Sequence, residues 1–264
     1  GGGGKGGGGG RSGGGSSTPT EQDDSLQSKQ FGQVLDLISE GEIEGLDDGN
    51  KSVFLDGTPI QDSSGNNNFS GFTVVTRSGT QAQTYIPGDF GNVENEVAVG
   101  VEVTNASSVT RQITDTNVDR ARITITVPSL QRFEDDGDIV GTSVSLDIQV
   151  QYNGGGFNSV KSDTISGKSS SQYQRDYLIT LSGAFPVDIK VVRNTADTSS
   201  TKLSNKTNWA SFTEIIDAKL RYPNSALVGL RFDSRQFNAI PQRKYLIRGI
   251  KVRIPSNATV DTTT

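Results

Sequence analysis

Residues 142–166 read TSVSLDIQVQYNGGGFNSVKSDTIS, and this stretch decides the class of fold. In its first half, apolar side chains occupy every second position, which places them on one side of a β-strand. These alternating apolar residues are Val144, Leu146, Ile148 and Val150. The NGGG segment that follows supplies the residue types that tight turns require. The stretch therefore predicts an antiparallel hairpin with one buried face.

Similar alternating runs lie on both sides of this hairpin. Clusters of Gly, Asn, Asp and Ser separate them at a spacing of about 8–12 residues, which is typical of β-sandwiches and barrels. We therefore predict a mainly β protein with antiparallel sandwich or barrel elements. The further strand candidates are FTVVTR (72–77), EVAVGVEVT (96–104), VTRQIT (109–114), ARITITVP (121–128), QRDYLITL (174–181) and VDIKVVRN (187–194).

Two more hairpins are predicted outside this region. KSVFLDGTPI (51–60) reads as two short strands joined by an Asp-Gly turn. Residues 213–234 read as a longer hairpin with Pro223 and Asn224 in its turn.

One segment, QFGQVLDLISE (30–40), has a different spacing of apolar residues. Its apolar positions follow the i, i+3, i+4, i+7 pattern of an amphipathic helix. The stripe consists of Phe31, Val34, Leu35 and Ile38. Asp24 or Ser25 could cap the start, and Gly41 could end the helix. We therefore predict one short N-terminal helix over residues 26–40, with its stripe available as an interface.

The composition excludes several kinds of chemistry. The 264 residues include no cysteine, no histidine and no methionine. Disulfides, thiolate nucleophiles, imidazole bases and Ser–His triads are therefore absent from this sequence. No apolar run approaches the roughly 18 residues of a membrane span. The lack of an initiating methionine leads us to expect a processed chain or a piece of a longer one.

Acidic residues leave two chemical alternatives open. A pair of carboxylates could serve a glycoside hydrolase, but no nucleophile–base set is visible, so we predict no enzyme and no cofactor. The runs LDDGN (46–50) and FEDDGDIV (133–140) could bind calcium or could be ordinary turns.

Charge is unevenly distributed along the chain. The net charge is −5, yet residues 202–253 contain eleven Lys or Arg and three acids, so this part carries +8 and the rest −13. Such asymmetry can indicate a nucleic-acid surface or an electrostatic protein contact. The alternation in RKYLIRGIKVRIP (243–255) equally fits a solvated strand face. Because no nucleic-acid-reading motif is present, we predict no sequence-specific nucleic-acid binding.

The first twenty residues read GGGGKGGGGGRSGGGSSTPT. Such a stretch buries too little surface to offset the entropy of ordering it. We predict an extended arm that is held in place from outside, either by a neighbouring subunit or by the inside of an assembly, and a flexible tail is the alternative. Lys5 and Arg11 would then pair with acids of that neighbour.

Several motifs occur together in one order. They are LDLISEGEIEGL (35–46), KSVFLDGTPI (51–60), GKSSSQYQRDYLI (167–179), LSNKTNWASFTEIIDAKLRYPNSALVGLRFDSRQF (203–237) and RGIKVRIPSN (248–257). In this order they resemble the N-terminal part of the lambda-type phage tail tip J family, the host-specificity J proteins. The resemblance implies a structural virion protein at the tail tip, where a homotrimer forms the central hub.

The same resemblance implies partners and a role. The partners are other tail tip proteins, distal tail proteins and tape-measure proteins, and a host receptor reached through a C-terminal region that is not in this sequence. The full-length protein would contribute to host attachment and genome delivery. A bacterial surface or carbohydrate-binding β-sandwich module remains the alternative, and it would be monomeric.

The resemblance also suggests how the chain is divided. Residues 1–25 would form the Gly-rich arm, and 26–64 the first segment of a hub domain with a helix and a hairpin. Residues 65–202 would form an inserted β-sandwich, and 203–264 the second hub segment.

Overall fold

The computed structural model describes residues 18–252 and residue 256. In this part, strands dominate, and two short 3-10 turns, Gly49–Ser52 and Ser234–Gln236, are the only helical elements. No helix here has the length and apolar character that a membrane span requires. In chain order the strands are β1 (Phe31–Glu40), β2 (Ile43–Leu46), β3 (Val53–Leu55), β4 (Thr58–Pro59), β5 (Thr73–Ser78), β6 (Val93–Glu102), β7 (Val109–Ile113), β8 (Arg120–Val127), β9 (Gln131–Phe133), β10 (Ile139–Val140), β11 (Thr142–Tyr152), β12 (Asn158–Gly167), β13 (Tyr173–Thr180), β14 (Val187–Arg193), β15 (Leu203–Ser204), β16 (Asn208–Ile216), β17 (Ser225–Asp233), β18 (Arg243–Tyr245) and β19 (Ile247–Ile250).

Two four-stranded antiparallel sheets form a sandwich. Their strand orders are β12-β11-β14-β7 and β13-β8-β16-β6. Alternating residues of both sheets build one large core around Trp209, which is fully buried. Three short strands that fall between the sandwich strands in chain order form a further small sheet, β10-β9-β15. The sandwich follows from the alternation, because each strand has one apolar side to cover.

The remaining strands come from the two ends of the described chain, and we call them the split body. It contains the sheet β1-β17-β5, the sheet β18-β3-β4 and the two-stranded ribbon β2-β19. Both faces of the central sheet are covered. On one face Val34, Leu230 and Val74 pack with Val53, Leu55 and Ile60. On the other face Leu35, Leu227 and Val75 pack with Ile86 and Phe90.

The predicted helix over residues 26–40 is wrong, because residues 31–40 form strand β1. This strand pairs antiparallel with β17, in a register that matches Val34 to Leu230 and Leu35 to Gly229. Since neighbouring residues of a strand point to opposite faces, Val34 and Leu35 enter different clusters. A strand covered on both faces can carry adjacent apolar residues, and this spacing imitates a helical stripe.

The hairpin predictions had mixed outcomes. The hairpin over residues 142–166 is confirmed by the pairing of β11 with β12. The Asp-Gly turn is confirmed too, with positive φ at both Asp56 and Gly57 between β3 and β4. The hairpin over 213–234 is wrong, because β16 joins the sandwich and β17 joins the split body. The sheets of the described residues are open, so the barrel alternative is wrong as well.

The predicted division of the chain stays a prediction, and the sheet pairings bear on where its breaks lie. β5 lies in the predicted insert but pairs with β17 of the split body. β16 lies in the predicted second hub segment but pairs with β8 and β6. The sandwich strands therefore run from residue 93 to residue 216.

Candidate assembly site at the junction of the two bodies

Three segments join the sandwich to the split body. The first is residues 19–28, which lie on the sandwich before the chain enters β1, and we call them the strap. The second is residues 85–92, which lead from β5 to β6. The third is residues 217–224, which lead from β16 to β17. We call the last two the crossing segments.

A single arginine holds both crossing segments. Arg120 Nη2 lies 2.7 Å from Asp89 Oδ1, and Arg120 Nε donates to Asp217 Oδ1 at 3.0 Å. Burial by itself lowers the pKa of Arg120, but the hydrogen bonds to Asp217 and Asp89 outweigh it and raise the pKa. The guanidinium therefore stays charged and ties one carboxylate of each crossing segment to strand β8.

The strap is held by a buried lysine. Lys168 follows β12, and its side chain is 2% exposed. Lys168 Nζ donates to Glu21 Oε1 at 2.7 Å and to Asp24 Oδ1 at 2.8 Å. Asp24 also accepts from the backbone N–H and the hydroxyl of Ser170. These bonds, led by that of Lys168, lower the pKa of Asp24 to about 2, so its carboxylate stays ionised at neutral pH.

Backbone contacts fix the rest of the strap. The N–H groups of Ser25 and Leu26 donate to the Lys168 carbonyl at 3.0 and 3.1 Å, and Lys168 N donates to Ser25 Oγ at 3.0 Å. A Cβ on Gly167 would lie 2.6 Å from Ser25 Oγ. A Cβ on Gly137 would lie 2.8 Å from Pro19 Cγ. Because real Cβ atoms do not approach so closely, glycine is needed at both positions for the strap to lie where it does.

Further bonds extend the strap contacts toward β10 and β13. Gln22 N donates to the Ile139 carbonyl, and Ile139 N donates to the Thr20 carbonyl, both at 2.9 Å. At the other end Gln174 N donates to Ser28 Oγ at 2.9 Å. We call the surface of residues 137–141 and 167–174 that receives these contacts the strap groove.

A cleft of about 910 Å³ opens between strap, β1 and the sandwich. Its charged lining contains both signs: Lys29, Asp89, Glu94, Arg122, Arg175, Asp176 and Arg231. Arg122 forms a two-pronged pair with Glu94 at 2.9 Å, and the Arg231 guanidinium lies 3.5 Å from the centre of the Phe31 ring. Mixed charges of this kind suit a polar protein surface better than a single small ion.

Part of the charge asymmetry of the sequence is compensated within the chain. Basic residues of β18, of β19 and just after β19 pair with acids in or near β1 and β2: Arg243 with Asp36, Arg248 with Asp47 and Glu44, and Lys251 with Glu42. Burial by itself raises the pKa of Asp36, but the bonds from Arg243 and Tyr245 outweigh it and lower the pKa. In the described part, Arg243, Arg248 and Lys251 therefore form their ion pairs within the split body.

The acidic runs have similar internal partners. Asp138 Oδ1 accepts from Thr20 N at 2.6 Å, and Asp135 pairs with Lys202. Asp48 Oδ2 lies 3.4 Å from Lys51 Nζ. Within residues 18–252 no group of three or more metal-ligating side chains is assembled.

The structure separates the predicted interface residues. Phe31 is partly exposed and lines the cleft, whereas Ile38 lines a separate groove of about 550 Å³ beside the β2-β19 ribbon. Val34 and Leu35 pack into the two clusters of the split body. Their role as an interface stays a prediction, and Lys5 and Arg11 lie outside the described residues.

Sequence reasoning did not find Arg120 or Lys168. Their partners are distant in the chain, since Lys168 and Glu21 are 147 positions apart. A local sign was present nevertheless, because Gly167 and Lys168 open the motif GKSSSQYQRDYLI.

The comparison with protein families identifies the sandwich. Residues 93–218 match the family model described as the FNIII-A domain of tip attachment protein J. The match begins where β6 begins and ends just after β16. The class of the sandwich is therefore that of an FNIII-type domain.

The similarity extends well beyond the sandwich. The chain is 40% identical over 244 residues to tip attachment protein J of Escherichia phage SECphi4, and 35% identical over 241 residues to that of Escherichia phage SECphi27. Each alignment covers 90% of this chain but only 21% and 20% of the respective relative, so the chain spans about a fifth of their length. The chain is thus similar to the tip attachment J proteins over nine-tenths of its length, and the resemblance seen in its motifs is confirmed.

The matches to solved structures are remote. The PBSX exported protein XepA aligns with 77% of this chain and 53% of its own length at 7% identity, with a TM-score of 0.27.

Proposed function

We propose that this chain belongs to a structural component of a bacteriophage tail tip. The observation that carries the proposal is its similarity, over nine-tenths of its length, to two tip attachment J proteins. Its place is the tail tip of the virion. The complete protein is proposed to act as a trimeric central hub that contributes to host attachment and genome delivery.

The geometry of the junction supports a structural role. The strap and both crossing segments tie the sandwich to the split body, and buried or partly buried ion pairs hold them at Lys168 and Arg120. Several independent ties resist rotation of one body against the other better than one linker does. The proposed partners are other tail tip proteins, distal tail proteins and tape-measure proteins. Receptor binding is assigned to a C-terminal region outside this chain, and no enzymatic activity is proposed.

We also propose that the split body is one hub domain into which the sandwich is inserted. The pairing of β1 with β17, from the two ends of the described chain, supports this division. The sheets favour breaks near residues 92 and 217 in place of those predicted at 65 and 203.

Interrupting the gene in its phage with an amber codon tests the proposed role. In a non-suppressing host we expect no infectious particles and no tails with complete tips in electron micrographs. Supplying the complete gene in trans should restore both. Normal tails and normal infectivity without the protein would overturn the proposal.

A further inference from the structure

The cleft between the strap, β1 and the sandwich borders one end of the central sheet of the split body. Phe31 and Gln33 of β1 line this cleft, and they lie on the same side of the sheet as Leu35, because alternate residues of a strand point to one face. Ile86 and Phe90 cover that side of the sheet at Leu35. The cover ends before Phe31, whose side is 39% exposed to the cleft.

Arg231 contributes a cation to this open end of the sheet. It lies opposite Gln33 in the pairing of β17 with β1, and its Cζ is 3.5 Å from the centre of the Phe31 ring. Within residues 18–252 the Arg231 side chain forms neither an ion pair nor a hydrogen bond. The ring covers one face of the guanidinium, and the N–H donors, which lie in the guanidinium plane, stay free.

The charges on the sandwich wall of the cleft are mostly paired. Arg122 forms its pair with Glu94 at 2.9 Å, and Arg175 forms one with Asp163 at 2.7 Å. Asp176 forms no ion pair with another described residue. This wall therefore carries one uncompensated negative charge among the described residues.

The wall of β1 and β17 has the opposite excess. Lys29 lines the cleft just before β1 and is exposed, and in the part of the chain that the structure describes it forms no ion pair. Together with Arg231, it gives this wall two positive charges that the described residues do not neutralise. Such a wall is complementary to a carboxylate of another molecule.

The same wall also presents an unpaired strand edge. β1 is the outer strand of the sheet β1-β17-β5. The Gln30 carbonyl accepts from Ser234 N, so Gln30 faces β17, and the backbone groups of the next residue, Phe31, point to the free side. Gly32 lines the cleft through its backbone, because a Cβ there would be directed at Phe232 on the other side of the sheet. The free edge of β1 therefore borders the cleft.

An unpaired strand edge offers backbone hydrogen bonds to an extended peptide, and free cations beside it favour an acidic one. A phosphate chain fits less well, because its repeated charges would meet Glu94 and Asp176 on the opposite wall. We propose that the cleft binds an extended peptide segment of a neighbouring tail tip protein, whose backbone pairs with the free edge of β1 and whose carboxylate bonds to Arg231 and Lys29. The inference rests on the proposed function, because a tail tip supplies the neighbour.

Photo-crosslinking in assembled virions tests this occupant. Gln30, an exposed residue of the cleft lining, would be replaced by benzoylphenylalanine in the full-length protein. After irradiation, we expect a covalent link to a peptide of another chain that has an Asp or Glu within about three residues of the linked position. Val160 is the control position, since it is 44% exposed on the outer strand β12 and lies outside the cleft. It should not link the same peptide.

A charge exchange tests the carboxylate. In extracts of infected cells, Arg231→Glu should lower the yield of the link from position 30 by about tenfold or more, because a hydrogen bond between charged groups contributes at least that factor to affinity. Replacing the acid beside the linked position by Arg should restore the yield. Arg231→Gln is a milder second variant with the same expected direction, and melting temperatures of the purified variants check folding. Lys190→Glu is the matched control, since Lys190 also lies over an aromatic ring, that of Phe157, but outside the cleft.

The outcomes separate this inference from the proposed function. Virions that contain the protein but show no link from position 30 to another chain overturn the docking site and leave the tail tip role standing. A link to nucleic acid, or a yield that Arg231→Glu and Lys190→Glu lower equally, overturns the acidic peptide as the occupant. Complete virions that lack the protein overturn the tail tip role itself.

Discussion

Gly32 shows how a single position can depend on the absence of a side chain. A Cβ at this position would lie 2.5 Å from Cζ of Phe232 on the neighbouring strand. Phe232 belongs to a core cluster of the split body, so its ring has little space to move. The close approach of β1 to β17 therefore requires glycine.

Gly32→Ala should lower the free energy of unfolding by about 1–3 kcal/mol, because it overpacks a filled core. Chemical denaturation measures the change. Gly249→Ala is the control, since nothing lies within 4 Å of its added Cβ. Equal stability of Gly32→Ala and the wild-type chain would contradict the packing described for this pair of strands.

The lowered pKa of Asp24 in the strap predicts how the stability of the chain depends on pH. The pKa of Asp24 is about 2 in the folded chain, against about 3.9 for an unpaired aspartate. Because the folded pKa is the lower one, the contribution of Asp24 is complete above about pH 4 and is lost as the pH falls toward 2. Asp24→Asn should therefore lower Tm near neutral pH, and the difference from wild type should shrink between pH 4 and pH 2. A constant difference across this range would contradict the ion pair with Lys168.

Strand β1 shows why the element type was hard to predict at one place. The apolar pattern from Phe31 to Ile38 fits a helix, but the deciding fact is that two other parts of the chain cover both faces of this segment. The residues that cover the two faces, such as Val53 and Phe90, are distant from β1 in the sequence. The local sequence pattern of β1 therefore does not indicate them. Strands with one apolar face, such as β11 and β14, followed their alternation and were predicted correctly.

Two leucines in β1 test its strand geometry. Leu35→Ala should destabilise the chain by about 2 kcal/mol, because Leu35 packs with Ile86, Phe90 and Leu227. Leu37→Ala should change stability by less than about 0.5 kcal/mol, because Leu37 is 60% exposed. Thermal or urea unfolding measures both variants. A larger loss for Leu37→Ala than for Leu35→Ala would contradict the packing of β1.

The candidate site was less predictable than the strands. The strap, Arg120 and Lys168 act through pairs whose partners come from distant parts of the sequence. Charge patterns indicated that acidic and basic regions exist, but not that Arg243 meets Asp36 inside the same chain. The predicted hairpin over residues 213–234 failed for the same reason, since its two strands are drawn into different bodies.

The ion pairs of Arg120 with Asp89 and Asp217, which we call the arginine clamp, predict how the crossing segments respond when Arg120 is removed. Arg120→Ala should increase amide hydrogen exchange in residues 85–92 and 217–220, because both lose their common tie. Arg122→Ala is the matched control, since Arg122 pairs with Glu94 on strand β6 of the same sheet and with neither Asp89 nor Asp217. Unchanged exchange in Arg120→Ala, or an equal increase in both variants, would contradict the clamp.

At the scale of the whole molecule, the chain combines two bodies, three connections and surfaces that remain uncovered. The β2-β19 ribbon has only two strands, and Ile250 at its end is 61% exposed. Two-stranded ribbons are marginally stable in water unless another element packs on them. The ribbon and the cleft are the surfaces through which the proposed hub would meet its neighbours.

The mass of the full-length protein in solution tests the central claim most directly. Light scattering at two concentrations, alone and with the purified tail proteins of the same phage, separates a trimeric hub from an independent module. The account predicts three times the chain mass, either alone or once the tail partners are present. A stable monomer under both conditions would contradict it and would favour a monomeric surface module that shares ancestry with the tip attachment J proteins.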